Sequence, residues 1–235
     1  MAELTVGLLL YPAFEVLDMA GPIEVLNVLS VYMGKSLQLY VIAATMEPVS
    51  PGPIIPGPSS SFAGQQLYMP THTLDNAPAL DLLIVPGGPG SNNKEALQPL
   101  LDFIRNVYRG YQGHPPAKYL FSVCSGSLMF AWAGVLDGQH ATTNKSFWTF
   151  ITSNGPRTHW VAKARWVTSG NIWTTSGVTA GIDGMLALVS SIWGEETAEK
   201  VSATIEHNRA TQSDDDPWAE KYDCQDVSPV AGGWR

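Results

Sequence analysis

The feature that most constrains this chain is an abrupt change of pattern at Cys124. In Lys118-Tyr-Leu-Phe-Ser-Val-Cys124-Ser-Gly-Ser-Leu-Met-Phe-Ala-Trp-Ala-Gly-Val-Leu136 an apolar strand-type run stops and a helix-type run begins at once. Such a junction puts the cysteine at the N-terminus of the following helix. Unpaired amides and the positive end of the helix dipole there favour a thiolate. Gly126, two residues on, lets helix and strand pack closely. The segment therefore reads as a nucleophile elbow, with sulfur where many hydrolases carry a serine oxygen. A buried cysteine packed as a small hydrophobe is the plainer alternative.

Strand and helix signals alternate along most of the chain, which implies an α/β fold with a mostly parallel sheet covered on both faces. The pattern predicts strands over 5–10, 37–43 and 81–86, and a strand pair over 160–168 and 172–175 around Ser169-Gly170-Asn171. A loop is expected over 11–18, then a helix opened by Gly21-Pro22 and running to about Leu29, with proline in its first turn. Prolines crowd 47–61, which reads as a loop or loose hairpin arm, with a short returning strand over 65–69. Further helices are predicted over 95–108, 146–152, 180–193 and 195–207. With no internal repeat and no dividing linker, residues 1–207 are expected to form one domain and 208–235 an irregular tail.

Composition excludes several function classes. A net charge of −8 argues against a nucleic-acid or anionic-membrane partner. No apolar run reaches about 18 residues, so no transmembrane helix is expected. The first ten residues lack a basic region and read as a strand, not a signal peptide. Two cysteines, Cys124 and Cys224, make no disulfide framework, and a reducing, cytoplasmic setting is the default. The five histidines form no metal-type pair, and neither a Walker A loop nor a G-x-G-x-x-G run is present. No metal and no cofactor are expected.

In an open α/β sheet, ligands collect beyond the carboxyl ends of the strands. Three segments should converge there: the loop after the first strand with Asp18, the Gly87-Gly88-Pro89-Gly90 loop, and the elbow. Gly87-Gly88 can be a tight turn or half of an oxyanion hole, with the Gly88 and Ser125 amides as donors. Asp18 can be a helix cap or an active-site acid, with Glu15 and Glu24 as competing carboxylates. Asp183 falls in a first helical turn, where the dipole already favours it.

Taken in order, these segments resemble the ThiJ/PfpI family of the class I glutamine amidotransferase-like superfamily. The resemblance runs from about Val6 to about His207 and rests on Leu17-Asp-Met-Ala-Gly-Pro-Ile-Glu-Val-Leu26, Asp81-Leu-Leu-Ile-Val-Pro-Gly-Gly-Pro-Gly90, Ser122-Val-Cys-Ser-Gly-Ser127, Gly134-Val-Leu-Asp-Gly-Gln-His-Ala-Thr-Thr143 and Thr175-Ser-Gly-Val-Thr-Ala-Gly-Ile-Asp183. Within the family the chain is most similar to isonitrile hydratases and to the related domain of some transcription regulators, though no helix-turn-helix follows here. The resemblance implies a flavodoxin-like three-layer sandwich, usually a homodimer, with an acidic residue hydrogen-bonded to the elbow sulfur. That residue falls on Asp18, and the hydroxyl residue after the cysteine falls on Ser125. Asp183 matches a family aspartate whose role is structural. Many relatives carry histidine where this chain has Asn144, and asparagine is no general base. Cys–His protease or amidotransferase chemistry is therefore disfavoured, and Glu206-His207 stands in the wrong order for a glutaminase pair.

The reading favoured by this resemblance is cofactor-free hydration of a small isonitrile through a Cys124 thioimidate. Asp18 would move protons, while Gly88 and Ser125 orient the intermediate. Asn144, Trp148 and Asp183 are candidate pocket residues. Trp132, Trp148, Trp160, Trp166 and Trp173 crowd the segments around the elbow, either as an aromatic pocket or as core and interface. The same Cys–Asp pair also suits isomerisation, cyclisation or elimination on a specialised metabolite. A third reading is an oxidation sensor that does no catalysis.

Overall fold

The computed structural model describes residues 4–52 and 62–230. Much of the proline-rich arm expected over 47–61, and Gly232-Gly233, lie outside the described residues. The central sheet is built from β1 (Leu4–Leu9), β2 (Leu37–Ala43), β3 (His72–Thr73), β4 (Leu82–Val85), β5 (Tyr119–Ser122), β8 (Trp166–Ser169) and β9 (Ile172–Thr175). Among the described residues its order is β3-β2-β1-β4-β5-β9-β8. Every pairing is parallel except the β8–β9 hairpin, in which Trp166 faces Thr175 and Ser169 faces Ile172. A second, two-stranded piece pairs β6 (His140–Ala141) with β7 (His159–Trp160).

All four residues of β4, Leu-Leu-Ile-Val, are buried, as a central strand covered on both faces requires. Helix α1 (Val16–Val31) packs with α5 (Ala180–Trp193) and α6 (Glu195–Thr204). Helix α2 (Gln98–Arg109) packs with α3 (Gly126–Trp132), which in turn meets α4 (Trp148–Asn154). Two helical layers thus enclose the sheet in a flavodoxin-like three-layer sandwich. No helix among the described residues is long and apolar enough to cross a membrane.

Several boundaries differ from expectation. The first helix starts at Val16, not at Gly21-Pro22, so Asp18 sits in its first turn and Pro22 lies inside the helix. Pro22 lacks the N–H that would bond the Asp18 carbonyl. The buried face formed by Met19, Gly21, Pro22, Val25 and Leu26 holds the helix together across that gap. No strand forms over 65–69; Tyr68 makes an isolated bridge to Val49, and His72–Thr73 takes the edge of β2 instead. The strand expected over 160–168 breaks in two, because a tight turn (Ala164 N–H to the Ala162 carbonyl, 2.9 Å) separates Trp160 from β8. Residues 208–230 are not wholly irregular. They carry a helical turn, α7 (Trp218–Lys221), and Val227 bridges to Trp160.

Gly126 is where strand and helix meet most tightly. A Cβ there would strike the Val85 carbonyl oxygen and lie 2.9 Å from that of Pro86, both rigid backbone atoms. Gly126→Ala is expected to lower the unfolding free energy in urea by about 1–3 kcal/mol, as overpacking of a close backbone contact does.

Candidate active site

The order β2-β1-β4-β5-β9 follows the flavodoxin-like winding, whose switch point lies between β1 and β4. The loops leaving these strands are laced together at that edge. The Glu15 N–H donates to the Gly87 carbonyl (2.8 Å) and the Gly90 N–H to the Ala13 carbonyl (2.9 Å). One strand further on, β5 ends in the elbow. Cys124 has φ of 55°, a left-handed conformation that an L-residue other than glycine holds only when its surroundings enforce it. Its N–H donates to the Ser176 carbonyl (2.9 Å), and its own carbonyl accepts the hydroxyls of Thr143 and Ser127, each at 3.0 Å.

Asp18, wholly buried on α1, is brought to this elbow. Its Oδ2 accepts the Gly87 N–H (2.8 Å), while Oδ1 has no partner of hydrogen-bond geometry among the described residues. Burial pushes the Asp18 carboxyl up to about 7; the Gly87 amide pulls it down, nearby Glu15 raises it, and the Cys124 thiol draws it down again. The thiolate expected from the helix dipole is corrected here. Burial, and then the Asp18 charge, push the Cys124 thiol well above its ordinary range. The Ser125 amide, the Asn144 side chain and the Ser125 hydroxyl pull it down and offset only part of this. Helix α3, which follows the elbow, has only seven residues. Near neutral pH the thiol therefore keeps its proton while the neighbouring carboxyl titrates.

The Gly88 amide is not a free oxyanion donor, since it donates to the Ser125 hydroxyl (3.0 Å). Ser91, unnoticed in the sequence, lies 2.8 Å from that same hydroxyl and donates to the Gly88 carbonyl at 2.8 Å. Tyr11 was missed too. Its buried hydroxyl donates to the Pro86 carbonyl (2.7 Å), and burial with the charges of Asp18 and Cys124 keeps it protonated. Neither residue belongs to a recognisable motif; only the folded loops bring them in.

Cys124 is 8% exposed, and that residual surface opens into a cavity of about 260 Å³. Glu15, Pro89, Asn144, Phe147, Phe150 and Val178 are among its walls. Phe147 and Phe150 are the aromatics that line it, at 59% and 42% exposed. None of the five tryptophans suggested by the sequence does so. Trp148 is corrected from pocket to anchor: it is buried, lies edge-on to Trp160, and donates its indole N–H to the Gln225 carbonyl (3.0 Å). Asn144 does stand at the cavity, its Oδ1 taken by the Ser146 hydroxyl (2.7 Å) and the Phe147 N–H (3.1 Å). Its side chain also draws the Cys124 thiol down, against the larger effect of burial.

Asp183 stands elsewhere, buried beneath Arg165 (2.5 Å) and His207 (2.8 Å) and accepting the Ala210 N–H (3.0 Å). His207 lies past the end of α6 rather than on it, and neither residue lines the Cys124 cavity. Among the described residues no group of three or more His, Cys, Asp or Glu side chains is placed to hold a metal ion.

The displaced acidity of Asp18 has a consequence for stability. Its carboxyl ionises near 3.8 in an unperturbed setting and near 7 in the fold, so the folded state binds this proton more tightly. Its contribution therefore turns unfavourable as pH rises from about 4 to 7 and stays so above. Asp18→Asn is expected to raise the unfolding free energy at pH 8 by on the order of a few kcal/mol while changing it little at pH 4. Denaturant titrations at the two pH values check this.

Comparison with known proteins agrees with this architecture. The chain is 34% identical over 211 residues to an isonitrile hydratase of Pseudomonas putida, covering 90% of this chain and 82% of that one. It is 26% identical to the HTH-type transcriptional regulator GbdR of Pseudomonas aeruginosa, of whose length it spans only 53%. Among solved structures, a ThiJ/PfpI family protein from Pseudomonas syringae superposes with a TM-score of 0.71 at 29% identity, covering 89% of this chain and 77% of that one. Drosophila melanogaster DJ-1beta shares the fold, with a TM-score of 0.67 at 18% identity over 88% of this chain and 99% of its own. The DJ-1/PfpI family model matches residues 5–191, and the chain belongs to that family.

Proposed function

We propose that this protein is a cysteine-dependent enzyme that hydrates a small isonitrile to an N-substituted formamide, with no metal or organic cofactor. What supports the reading is a Cys124 that lines a small, largely apolar cavity, next to a buried Asp18 carboxyl whose charge acts on its thiol, in a chain 34% identical to an isonitrile hydratase.

Chemically, the terminal isonitrile carbon accepts both a nucleophile and a proton. Ionised Asp18 takes the thiol proton, the Cys124 sulfur bonds to that carbon, and Asp18 delivers the proton to the same carbon, giving a thioimidate, R–N=CH–S–Cys. Asp18 then deprotonates a water as its oxygen adds to the thioimidate carbon, while the nitrogen gains a proton. The resulting R–NH–CH(OH)–S–Cys breaks its C–S bond, releasing R–NH–CHO and returning the hydroxyl proton to the Cys–Asp pair. The Ser125 amide and hydroxyl and the Asn144 side chain, all of which draw the thiol down, stabilise negative charge on the sulfur as it leaves. A carboxyl tuned to about 7 serves as both donor and acceptor near neutral pH. Asparagine at 144 suits a scheme in which the carboxyl carries every proton. Phe147 and Phe150 favour an apolar substituent on the isonitrile nitrogen. The protein works on this small molecule as a homodimer.

The test is turnover of aryl and alkyl isonitriles by the wild type and two variants. Cys124→Ser is expected to abolish formamide production, and Asp18→Asn to lower kcat/KM by about 10²–10⁴-fold. In the wild type kcat/KM should fall about tenfold per pH unit below about 7, because protonated Asp18 cannot take the thiol proton. No turnover of any isonitrile, together with reversible sulfenate formation on Cys124, overturns the enzymatic reading in favour of a redox sensor.

A further inference from the structure

The segment that delivers Asn144 to the sulfur is tied to the C-terminal residues by a buried ion pair. Lys145 and Asp216 lie 3.1 Å apart with side chains 1% and 0% exposed. The Lys145 ammonium also donates to the Thr142 hydroxyl (2.8 Å), the Thr143 carbonyl (3.1 Å) and the Ala164 carbonyl (2.9 Å). Asp216 Oδ2 accepts the Ser176 hydroxyl (3.1 Å) as well. Two of these partners lead back to the elbow. Thr143 donates its hydroxyl to the Cys124 carbonyl, Ser176 accepts the Cys124 N–H, and Asn144 sits between Thr143 and Lys145 in the chain. Residue 216 lies beyond the stretch matched by the family model, which ends at 191.

We infer that Lys145 and Asp216 are positioning residues that hold Asn144 and the Cys124 elbow in register, making the C-terminal segment part of the active site. Two opposite charges removed from water are costly unless each is fully bonded, and breaking one leaves the other uncompensated. Here the bonding is complete and its geometry is directional, so the pair has two ends to fix. One end is the backbone around Asn144; the other is Ser176 under the elbow. The remaining charged or titratable groups that influence Lys145 are Arg165 and Cys224. Those facing the sulfur directly are Asp18 and Tyr11, with Glu15 acting through Asp18. Of these, Cys224 also feels Lys145 and Asp216, whereas neither residue is among the groups that shift Asp18, Tyr11 or Cys124.

This inference rests on the hydratase reading for its kinetic arm but not for its chemical one. The test compares wild type, Asp216→Asn, the apolar replacement Lys145→Met/Asp216→Leu, and Asp226→Asn. Asp226 holds the same segment through the Ala162 N–H (2.7 Å) without touching Lys145. The primary readout is iodoacetamide alkylation of Cys124 between pH 6 and 10, followed by mass spectrometry of the Cys124 peptide in protein shown to be folded by circular dichroism. Asp216→Asn, and the double variant if the single one fails to fold, should shift the alkylation profile to higher pH. With an isonitrile that the wild type turns over, kcat should fall about 10- to 100-fold, the scale of a misplaced catalytic geometry, with KM changed less than about threefold. Asp226→Asn should keep the wild-type profile. Wild-type alkylation and kcat in either folded 216 variant overturn the inference, as does an equal shift in Asp226→Asn. Loss of turnover by all proteins with the alkylation shift intact would count against the hydratase reading alone.

Discussion

A carboxyl group and a thiol buried side by side, at the edge of a sheet and away from bulk water, cannot both be ionised without a large electrostatic cost. Asp18 and Cys124 are held in that relation. Burial raises the proton affinity of each, and the charge of Asp18 raises that of Cys124 further. The thiol consequently keeps its proton near neutral pH, beside a carboxyl that titrates there. Chemistry that needs a thiol to give up its proton and a carbon to receive one is matched to this arrangement. A free thiolate waiting in a cationic pocket would be a different device.

Much of the surrounding structure exists to maintain that contact. The bonds to Ser176, Thr143 and Ser127 hold the Cys124 backbone in its left-handed conformation. Gly87 has to lack a side chain, because a Cβ would lie 2.6 Å from both the amide and the hydroxyl of Ser125 and 3.0 Å from Asp18. Its own N–H fixes the carboxylate in place. Starting α1 at Val16, with Pro22 inside it, brings Asp18 into the first helical turn and into the protein interior. The local cost of that proline is offset by the apolar face it shares with α5.

How far the sequence revealed this depends on the range of the interactions involved. Leu37–Ala43 and Ala180–Trp193 were read to the residue, because apolar runs ended by turn-forming or glycine positions carry their own boundaries. The strand-to-helix break at Cys124 was equally legible. Asp18 was reached through the resemblance, and its helix was misplaced because Gly-Pro is a strong local start signal that tertiary packing overrode. Phe147 and Phe150 escaped notice while five tryptophans drew attention, since indole size says nothing about which face of an element meets the cavity. Trp148 and Trp160 went inward and now brace the C-terminal segment. The oxyanion role imagined for the Gly88 amide failed for a similar reason: the Ser125 hydroxyl, distant in sequence, occupies it. Ser91, Tyr11 and the Lys145–Asp216 pair are made of single residues without motif context, and only the three-dimensional fold relates them to the sulfur.

The central claim, that Asp18 ionises near neutrality and its charge is felt by Cys124, is most directly tested by following the side-chain carboxyl carbon of Asp18 and the β-carbon of Cys124 by ¹³C NMR from pH 4 to 10. The account predicts that Asp18 titrates near 7 and that the Cys124 resonance responds in the same step. An Asp18 that ionises near 4, with no accompanying change at Cys124, would contradict it.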